Sequence, residues 1–320
     1  MNCVPLSRKY AVRIRKKAWR HFMNGIRKLA PFLILISGCL WGSMGLFVRK
    51  LTAAGLTSLD IVGMRAFVTV ILMGIILLLF DRKMFRIRIR DIWCFIGTGI
   101  CSIILFNYCY FSAIMMTSLS VAAVLLYTAP AFVMLMSFFL FGEKMNKNKW
   151  IALLMTFVGC VLVTGLTGTG QMGALSVKGI VVGLGAGFGY ALYSIFSRYA
   201  IGRGYHSLGI TFYTFLFATI GSLPLISFKT LGTYLSIEST NIWFILLFGL
   251  VSTVLPYLVY TAGLEYVENG QASIIASIEP VVATMFGIFV FKEKMTMSNV
   301  FGMILVLGAI VLCNLNSKKK

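Results

Sequence analysis

The stretch that decides the fold runs from Asn269 to Met295 and reads NGQASIIASIEPVVATMFGIFVFKEKM. It is an apolar run that contains one acid, Glu279, directly before Pro280, and it closes on the charged residues 292–294. Apolar segments of about 20 residues are typical of transmembrane helices. Because a carboxylate in the middle of such a segment is costly, the stretch predicts a membrane fold and marks a candidate site.

The same pattern occurs about 150 residues earlier in the chain. There Pro130 occupies the position of Pro280, and the segment FGEKM at 141–145 matches FKEKM at 291–295. The earlier copy has Ala129 where the later copy has Glu279. The chain is therefore predicted to be a duplication whose two copies differ by one buried charge.

Composition predicts an all-α integral membrane protein. Apolar residues make up 59% of the 320 positions and charged residues only 12%. Continuous apolar runs of this length favour helices, because barrel strands alternate and every backbone polar group in lipid needs a partner. Ten transmembrane helices are predicted, at roughly 32–48, 62–80, 93–113, 119–141, 150–167, 179–197, 208–228, 242–264, 270–291 and 298–314.

The duplication extends to five helices per copy. At an offset of 149 residues Trp41 matches Tyr190 and Arg49 matches Arg198. We therefore predict a first repeat at 31–167, an outer linker at 168–178 and a second repeat at 179–315. Because five is odd, the second copy enters the membrane from the opposite side, which gives the two inverted repeats typical of secondary transporters.

The net charge of +20 does not indicate nucleic-acid binding, because the charge lies in the tails and short loops. With both termini on one side, that side holds 22 Lys and Arg and the other holds six. By the positive-inside rule both termini are predicted to be cytoplasmic, in a multi-pass protein of the cell membrane.

Residues 1–30 and 316–320 are predicted to be basic cytoplasmic tails. The first lacks a span-length apolar core and a cleavage site, so it is not a signal peptide. It is either a basic helix lying on anionic lipid or an incorrectly assigned start, with translation beginning at Met23.

The sequence offers no motif for an enzyme, a cofactor or a metal. The seven cysteines are scattered without a C-x-x-C pair and are interpreted as small buried hydrophobic residues. The three aspartates flank the spans, and both histidines lie in a tail or a loop. The protein is therefore not expected to be an enzyme or to hold a cofactor or a metal.

Glu279 is the leading candidate for function. An acid near the bilayer centre is expected to face a cavity or a partner, and there it is a candidate proton carrier and substrate ligand. The structural alternative is a hydrogen-bonded carboxyl group that caps backbone freed by Pro280. Pro130 and Pro280 each remove a backbone donor in mid-span and are predicted to kink their helices.

Further polar and aromatic groups lie inside the predicted spans. Trp41 and Tyr190 are repeat mates in mid-span, where the pair is suited to stack on a flat substrate or hold a cation. Plain helix packing is the alternative for each. The remaining candidate substrate ligands are Asn107, Tyr110, Tyr127 and Tyr257.

Three other features receive structural interpretations. Glycines four residues apart, such as Gly183 and Gly187, are expected to allow close helix packing. Arg65, close to the start of the second span, is expected to extend its charge to the outer interface. Glu143 and Glu293 are interpreted as interface charges paired with neighbouring lysines.

Taken together, these residues resemble the EamA family of the drug/metabolite transporter superfamily. The resemblance covers about 30–315 and rests on the five-helix duplication, W-G-S at 41–43, A-P at 129–130, G-E-K at 142–144 and E-P at 279–280. It implies a ten-helix inverted-repeat transporter with both ends cytoplasmic and a central cavity formed by spans one, three, four, six, eight and nine. Members mostly move small metabolites, amino acids or drugs, often outward.

The predicted function is secondary active transport of a small polar or amphipathic metabolite by alternating access, with export favoured and protons as a candidate driving ion. The expected partners are the lipid bilayer, the small-molecule substrate and protons, with no nucleic acid. Two alternatives stay open: an importer of an organic cation such as a quaternary amine, and a non-transporting membrane scaffold or sensor.

Overall fold

A computed structural model describes residues 29–80, 82–164, 176–237 and 239–315, and within these ranges the chain contains helices and no β-strand. Nine described helices are long and apolar enough to cross a membrane. A tenth, Lys147–Val163, has 17 residues, which is at the lower end of the length that spans a bilayer. The prediction of an all-α membrane protein with ten helices in two repeats is confirmed.

Ten helices make up most of the described chain. In chain order they are α1 (Leu29–Ala53), α2 (Ser58–Phe80), α3 (Ile89–Met116), α4 (119–141), α5 (Lys147–Val163), α6 (Val177–Gly202), α7 (Ser207–Leu225), α8 (Ile242–Leu264), α9 (Asn269–Phe291) and α10 (Met297–Leu315). A short helix, Phe228–Ile237, connects α7 to α8. The sequence did not predict it, because ten residues cannot span a membrane.

Helices α4 and α9 are both interrupted in mid-span. Their halves are Leu119–Leu126 with Ala129–Phe141, and Asn269–Ala276 with Glu279–Phe291. Pro130 and Pro280 each lie in the first turn of a second half, where no intrahelical bond needs the missing N–H. The chain is thus interrupted just before each proline, and the second half begins as a new helix.

Two π-helical segments were not predicted. They lie within α3, at Gly97–Ile104, and within α8, at Leu250–Val254, and their last residues are 150 positions apart in the duplicated chain. A π segment widens the helix locally and leaves no periodicity that apolar patterning detects. The two copies therefore share an irregularity that the spans alone do not indicate.

The repeats are interleaved. Helix α5 packs against α10, α2 against α7 and α4 against α9, so each of these pairs joins a helix to its own repeat mate. Helix α3 packs along α6, across the boundary between the copies. Contacts between mates are expected from two inverted copies related by a two-fold axis in the membrane plane, and they bring both interrupted helices to the centre.

Some predictions fall outside the described ranges. They concern residues 1–28 with the alternative start at Met23, residues 168–175 of the linker and the tail at 316–320.

Candidate functional site

A small cavity lies where the interruptions of α4 and α9 meet. Its volume is about 20 Å³, which is room for about one water molecule and none for a metabolite. The bundle is therefore closed around its centre in this structure. The lining residues come from four helices: Leu126, Tyr127, Ala129, Pro130 and Val133 of α4, Tyr190 and Ser194 of α6, Tyr260 of α8, and Ser273, Ala276, Ser277 and Glu279 of α9.

Glu279 is the acid in this cavity. It is the first residue of the second half of α9, where the helix dipole favours negative charge. The hydroxyl of Tyr190 donates a hydrogen bond to its Oε2 at 3.2 Å. The corresponding residue of α4, Ala129, lines the same cavity, so the two copies meet at one point with a carboxylate from only one of them.

Trp41 lies in an aromatic cluster beside the cavity. Its ring centroid is 6.4 Å from that of Tyr190, 5.1 Å from that of Tyr257 and 5.3 Å from that of Tyr260. The side chain is buried, and within the described part of the chain its indole N–H has no acceptor. Trp41 therefore packs against neighbouring aromatic rings while its indole N–H makes no hydrogen bond to the described residues.

Helices α6 and α8 are joined by two hydroxyl pairs that were not predicted. Tyr193 bonds Thr261 and Ser194 bonds Tyr260, each at 2.7 Å, and all four side chains are buried. Buried hydroxyls that satisfy each other fix two helices in one register. These contacts make α6 and α8 a single wall of the cavity.

Glycines allow α1 and α6 to approach the two interruptions. A Cβ atom on Gly38 would lie 2.8 Å from the carbonyl oxygen of Ala276, and one on its repeat mate Gly187 would lie 2.9 Å from that of Leu125. Real Cβ atoms do not approach oxygen this closely without displacement. The predicted close packing is thus present. In each copy the glycine packs against the interruption of a helix from the other copy: α1 against α9, and α6 against α4.

Tyr110 and Asn107 occupy different places on α3. Tyr110 contacts Phe106, which packs edge-on against Tyr190, and its hydroxyl is near enough to interact electrostatically with Glu279. Asn107 is buried and donates its amide to the carbonyl oxygen of Ile103 in the π segment of its own helix, at 2.7 Å. Tyr110 therefore lies near the central cavity, whereas Asn107 bonds its own helix and does not line the cavity.

The sequence-based interpretation of Arg65 is wrong. Its side chain does not extend to the outer interface: the residue is only 2% exposed, and its Nη1 lies 2.9 Å from the sulfur of Met44. Tyr257 and Glu279 are both close to the guanidinium, and the carboxyl group of Glu279 is near enough to act on its charge. Apolar periodicity placed Arg65 near a span end, but the face of α2 that carries it packs toward the core.

One end of the bundle, here called the Glu143 end, is held by a buried polar cluster. Glu143 accepts hydrogen bonds from the backbone N–H groups of Asn269 and Gly270, at 2.7 and 3.1 Å. Lys149 lies 4.0 Å from Glu143 and bonds Glu268 at 2.5 Å. The carboxylate of the first copy therefore caps the N-terminus of α9 in the second copy.

Arg198 extends the same cluster. Its Nε donates to the side-chain oxygen of Asn269 at 2.8 Å, and its Nη2 donates to the carbonyl oxygen of Val267. The expected pairing of Glu143 with a neighbouring lysine is incomplete, because its hydrogen-bonding partners belong to the other repeat. Helices α4, α5, α6 and α9 are locked together at this end.

The opposite end, here called the Glu293 end, has a different arrangement. Glu293 pairs with Arg49 at 2.6 Å, and both side chains are about half exposed, at 49% and 52%. Its partner is therefore an arginine of the first repeat and not an adjacent lysine. Exposed ion pairs are worth about 0–1 kcal/mol, so this end is held less firmly than the buried cluster.

A larger cavity of about 290 Å³ lies among the loops at residues 84–88 and 203–209. Its basic side chains are those of Arg86, Arg88, Arg203 and His206. It shares no lining residue with the central cavity. In the described ranges no group of three or more His, Cys, Asp or Glu is arranged to hold a metal ion.

Comparison with known proteins identifies the family. The model of the EamA-like transporter family matches residues 28–165 and again 177–315. An uncharacterized transporter from Archaeoglobus fulgidus is 32% identical over 205 residues, covering 63% of this chain and 70% of that protein. The uncharacterized transporter YxxF from Bacillus subtilis is 24% identical over 288 residues, 89% of each protein.

A crystal structure with 16% sequence identity superposes with a TM-score of 0.72, covering 91% of this chain and 98% of the other. At that identity it shows the fold alone. The two regions matched by the family model correspond to the two repeats. The nine described helices that are long and apolar enough to cross a membrane indicate a membrane protein. This chain belongs to the EamA-like transporter family and is a multi-pass membrane transporter of a small-molecule substrate.

Proposed function

We propose that the protein is a secondary active transporter that exports a small polar or amphipathic metabolite by alternating access. The observation that carries this proposal is the closed central cavity, which both repeats line and which holds one carboxylate, Glu279. Sites of inverted-repeat transporters lie between the copies at interrupted helices. A cavity of about 20 Å³ has to expand before it accepts a metabolite, so binding requires the helices to move.

The orientation follows from the distribution of charge. The positive-inside rule assigns the Glu143 end to the cytoplasm of a cell membrane, with both termini on that side. The buried cluster then closes the cytoplasmic end, and the half-exposed pair of Arg49 and Glu293 faces outward. This asymmetry supports a closed conformation in which the outer end is the weaker barrier.

The repeat suggests how the two ends exchange roles. Glu143 caps the start of α9 through Asn269 and Gly270, and the repeat mates of that contact are Glu293, Leu119 and Ser120. In the opposite state Glu293 leaves Arg49 and caps the start of α4, while Glu143 releases α9. One end then closes as the other opens, as rigid-body rocking of two similar states requires.

Glu279 is the proposed proton carrier and substrate ligand. It accepts a hydrogen bond from Tyr190 when ionised, and a carboxylate at a shared centre is exposed in turn to each side as the ends exchange. Trp41, Tyr110, Tyr127 and Tyr257 are proposed to bind the substrate around it.

Transport by purified protein in proteoliposomes under an imposed pH gradient tests this function. We expect at least one metabolite of a broad panel to accumulate. Glu279→Gln is expected to abolish accumulation while the folded protein still binds the metabolite with lower affinity, because Gln keeps one acceptor oxygen of the proposed ligand. The control is Glu265→Gln, which removes an exposed carboxylate from the α8–α9 connection. Unaltered pH-driven accumulation in Glu279→Gln contradicts the proton role. Inward movement of a quaternary amine supports the importer instead, and a panel with no transported compound supports the scaffold.

A further inference from the structure

Arg65 is a buried cation without a matching acceptor. The residue is 2% exposed, its Nη1 contacts the thioether sulfur of Met44, and its Nε–H is buried without a partner among the described residues. A thioether is a weak acceptor, whereas a guanidinium remains charged at any physiological pH and presents five donors. The local structure therefore leaves most of the hydrogen-bonding capacity of Arg65 unused.

A buried arginine without a matching acceptor destabilises the protein, and a bound anion would offset that cost. A buried charge is normally paired and hydrogen-bonded, because its removal from water is otherwise uncompensated. The ion pairs of the described residues involve Arg49, Lys149 and Arg203, and Arg65 is in none of them. Glu279 acts on Arg65 electrostatically but does not form an ion pair with it.

A second unused donor lies in the same part of the core. The indole N–H of Trp41 is buried and has no acceptor in the described ranges. Tyr257 lies near both donors, since its ring centroid is 5.1 Å from that of Trp41 and its hydroxyl is close to the guanidinium of Arg65. Val62 and Ala66, on either side of Arg65 along α2, belong to the same buried cluster as Trp41 and Tyr257.

We propose that Arg65 and Trp41 form an anion subsite that binds the carboxylate of the transported metabolite. This inference rests on the proposed transport function and names its substrate class. A guanidinium binds a planar carboxylate through two parallel N–H bonds, and the indole N–H supplies a third donor. Because neither residue lines the cavity of about 20 Å³, the subsite is completed when the bundle opens.

The subsite argues against an organic cation as substrate. A quaternary amine has no acceptor for the unused N–H groups of Arg65 and Trp41, so it would leave both donors unsatisfied. A substrate with a carboxylate instead supplies the acceptor that Met44 provides poorly.

Matched pairs of carboxylic acids and their primary amides test the subsite, because each pair differs only in the charged group. The probes are phenylalanine, leucine, lactate and succinate with their amides, measured by transport in proteoliposomes and by thermal shift of the purified protein. We expect the wild type to prefer an acid over its amide by at least about tenfold, as for a charge-assisted bond. Arg65→Met, of similar length, is expected to reduce that ratio to about one.

Two further variants keep the test decisive. If Arg65→Met does not fold, Arg65→Lys retains the charge but loses the two-pronged geometry, and its acid-to-amide ratio should fall several-fold. Arg82→Met removes an exposed loop arginine and should leave the ratio unchanged. An acid preference that survives in both Arg65 variants, or amides that move as well as acids in the wild type, overturns the subsite. If only uncharged compounds move, transport stands and the subsite fails; if nothing moves or binds, both proposals fail.

Discussion

Replacing Glu143 by Gln is expected to loosen the Glu143 end while keeping the shape of the side chain. The carboxylate accepts two backbone N–H bonds from the start of α9 and faces Lys149 at 4.0 Å, with only 10% of the side chain exposed. Hydrogen bonds to charged groups contribute about 1.5–3 kcal/mol each, and Gln keeps one acceptor oxygen. In the variant, the free energy that favours the closed over the open Glu143 end should therefore fall by about 1–3 kcal/mol. This corresponds to a decrease of about 5- to 150-fold in the ratio of closed to open molecules.

Amide hydrogen exchange measures this shift directly, because exchange reports local opening. Peptides that cover residues 265–278 should exchange about 5- to 150-fold faster in Glu143→Gln than in the wild type, whereas peptides from α7, which takes no part in this cluster, should exchange at the same rate. Glu265→Gln serves as the control and should match the wild type. Equal exchange of residues 265–278 in Glu143→Gln and wild type would refute the idea that this carboxylate holds the end closed.

Three more predictions concern stability. Lys292 ends α9 with a φ of 57°, so Lys292→Gly should raise the free energy of unfolding by about 0.5–1 kcal/mol in a thermal or denaturant titration, while Lys292→Ala should bring no such gain. Gly187→Ala should destabilise the protein by about 1–3 kcal/mol, whereas Gly45→Ala, with open space around it, should be neutral or stabilising; equal effects would contradict the close packing. Arg49→Gln should cost less than about 1 kcal/mol in the same titration, and a larger loss would show that the exposed pair is a strong barrier.

Much of the architecture could be predicted from the sequence, because few backbone structures can cross a membrane. Apolar length fixed the ten helices, and the duplicated A-P and E-P segments located both interruptions to within a few residues. Close packing of the glycines was predictable for the same reason, since small residues four apart have few other uses in a membrane helix. The π segments were not predictable, because they change hydrogen-bond register without changing apolarity.

The site was only partly predictable. Tyr127, Tyr190 and Glu279 line the cavity, but Ser194, Ser273, Ser277 and Tyr260 were missed. Helical spacing offered a signal for some of them: Ser194 follows Tyr190 by four residues, and Tyr260 follows Tyr257 by three. Single serines in apolar runs carry no distinctive pattern, since most bond their own helix.

Charged residues were hardest to interpret, because their partners are remote in sequence. Glu143 has lysines next to it, yet it caps a helix that starts 126 residues later. Arg65 lies seven residues after the start of α2, where an arginine commonly extends to the interface, and only the packing of α2 against the core reveals its burial. Pairings that depend on how two repeats interleave cannot be read from one repeat.

The measurement that tests alternating access most directly is a pair of distances between spin labels. One pair, Lys144→Cys with Glu265→Cys, reports the Glu143 end, and the other, Leu119→Cys with Lys294→Cys, reports the Glu293 end, each in a background without the native cysteines. Across a series of pH values and transported compounds, we expect one distance to lengthen whenever the other shortens. Two distances that stay fixed, or that change in the same direction, would contradict alternating access between the repeats.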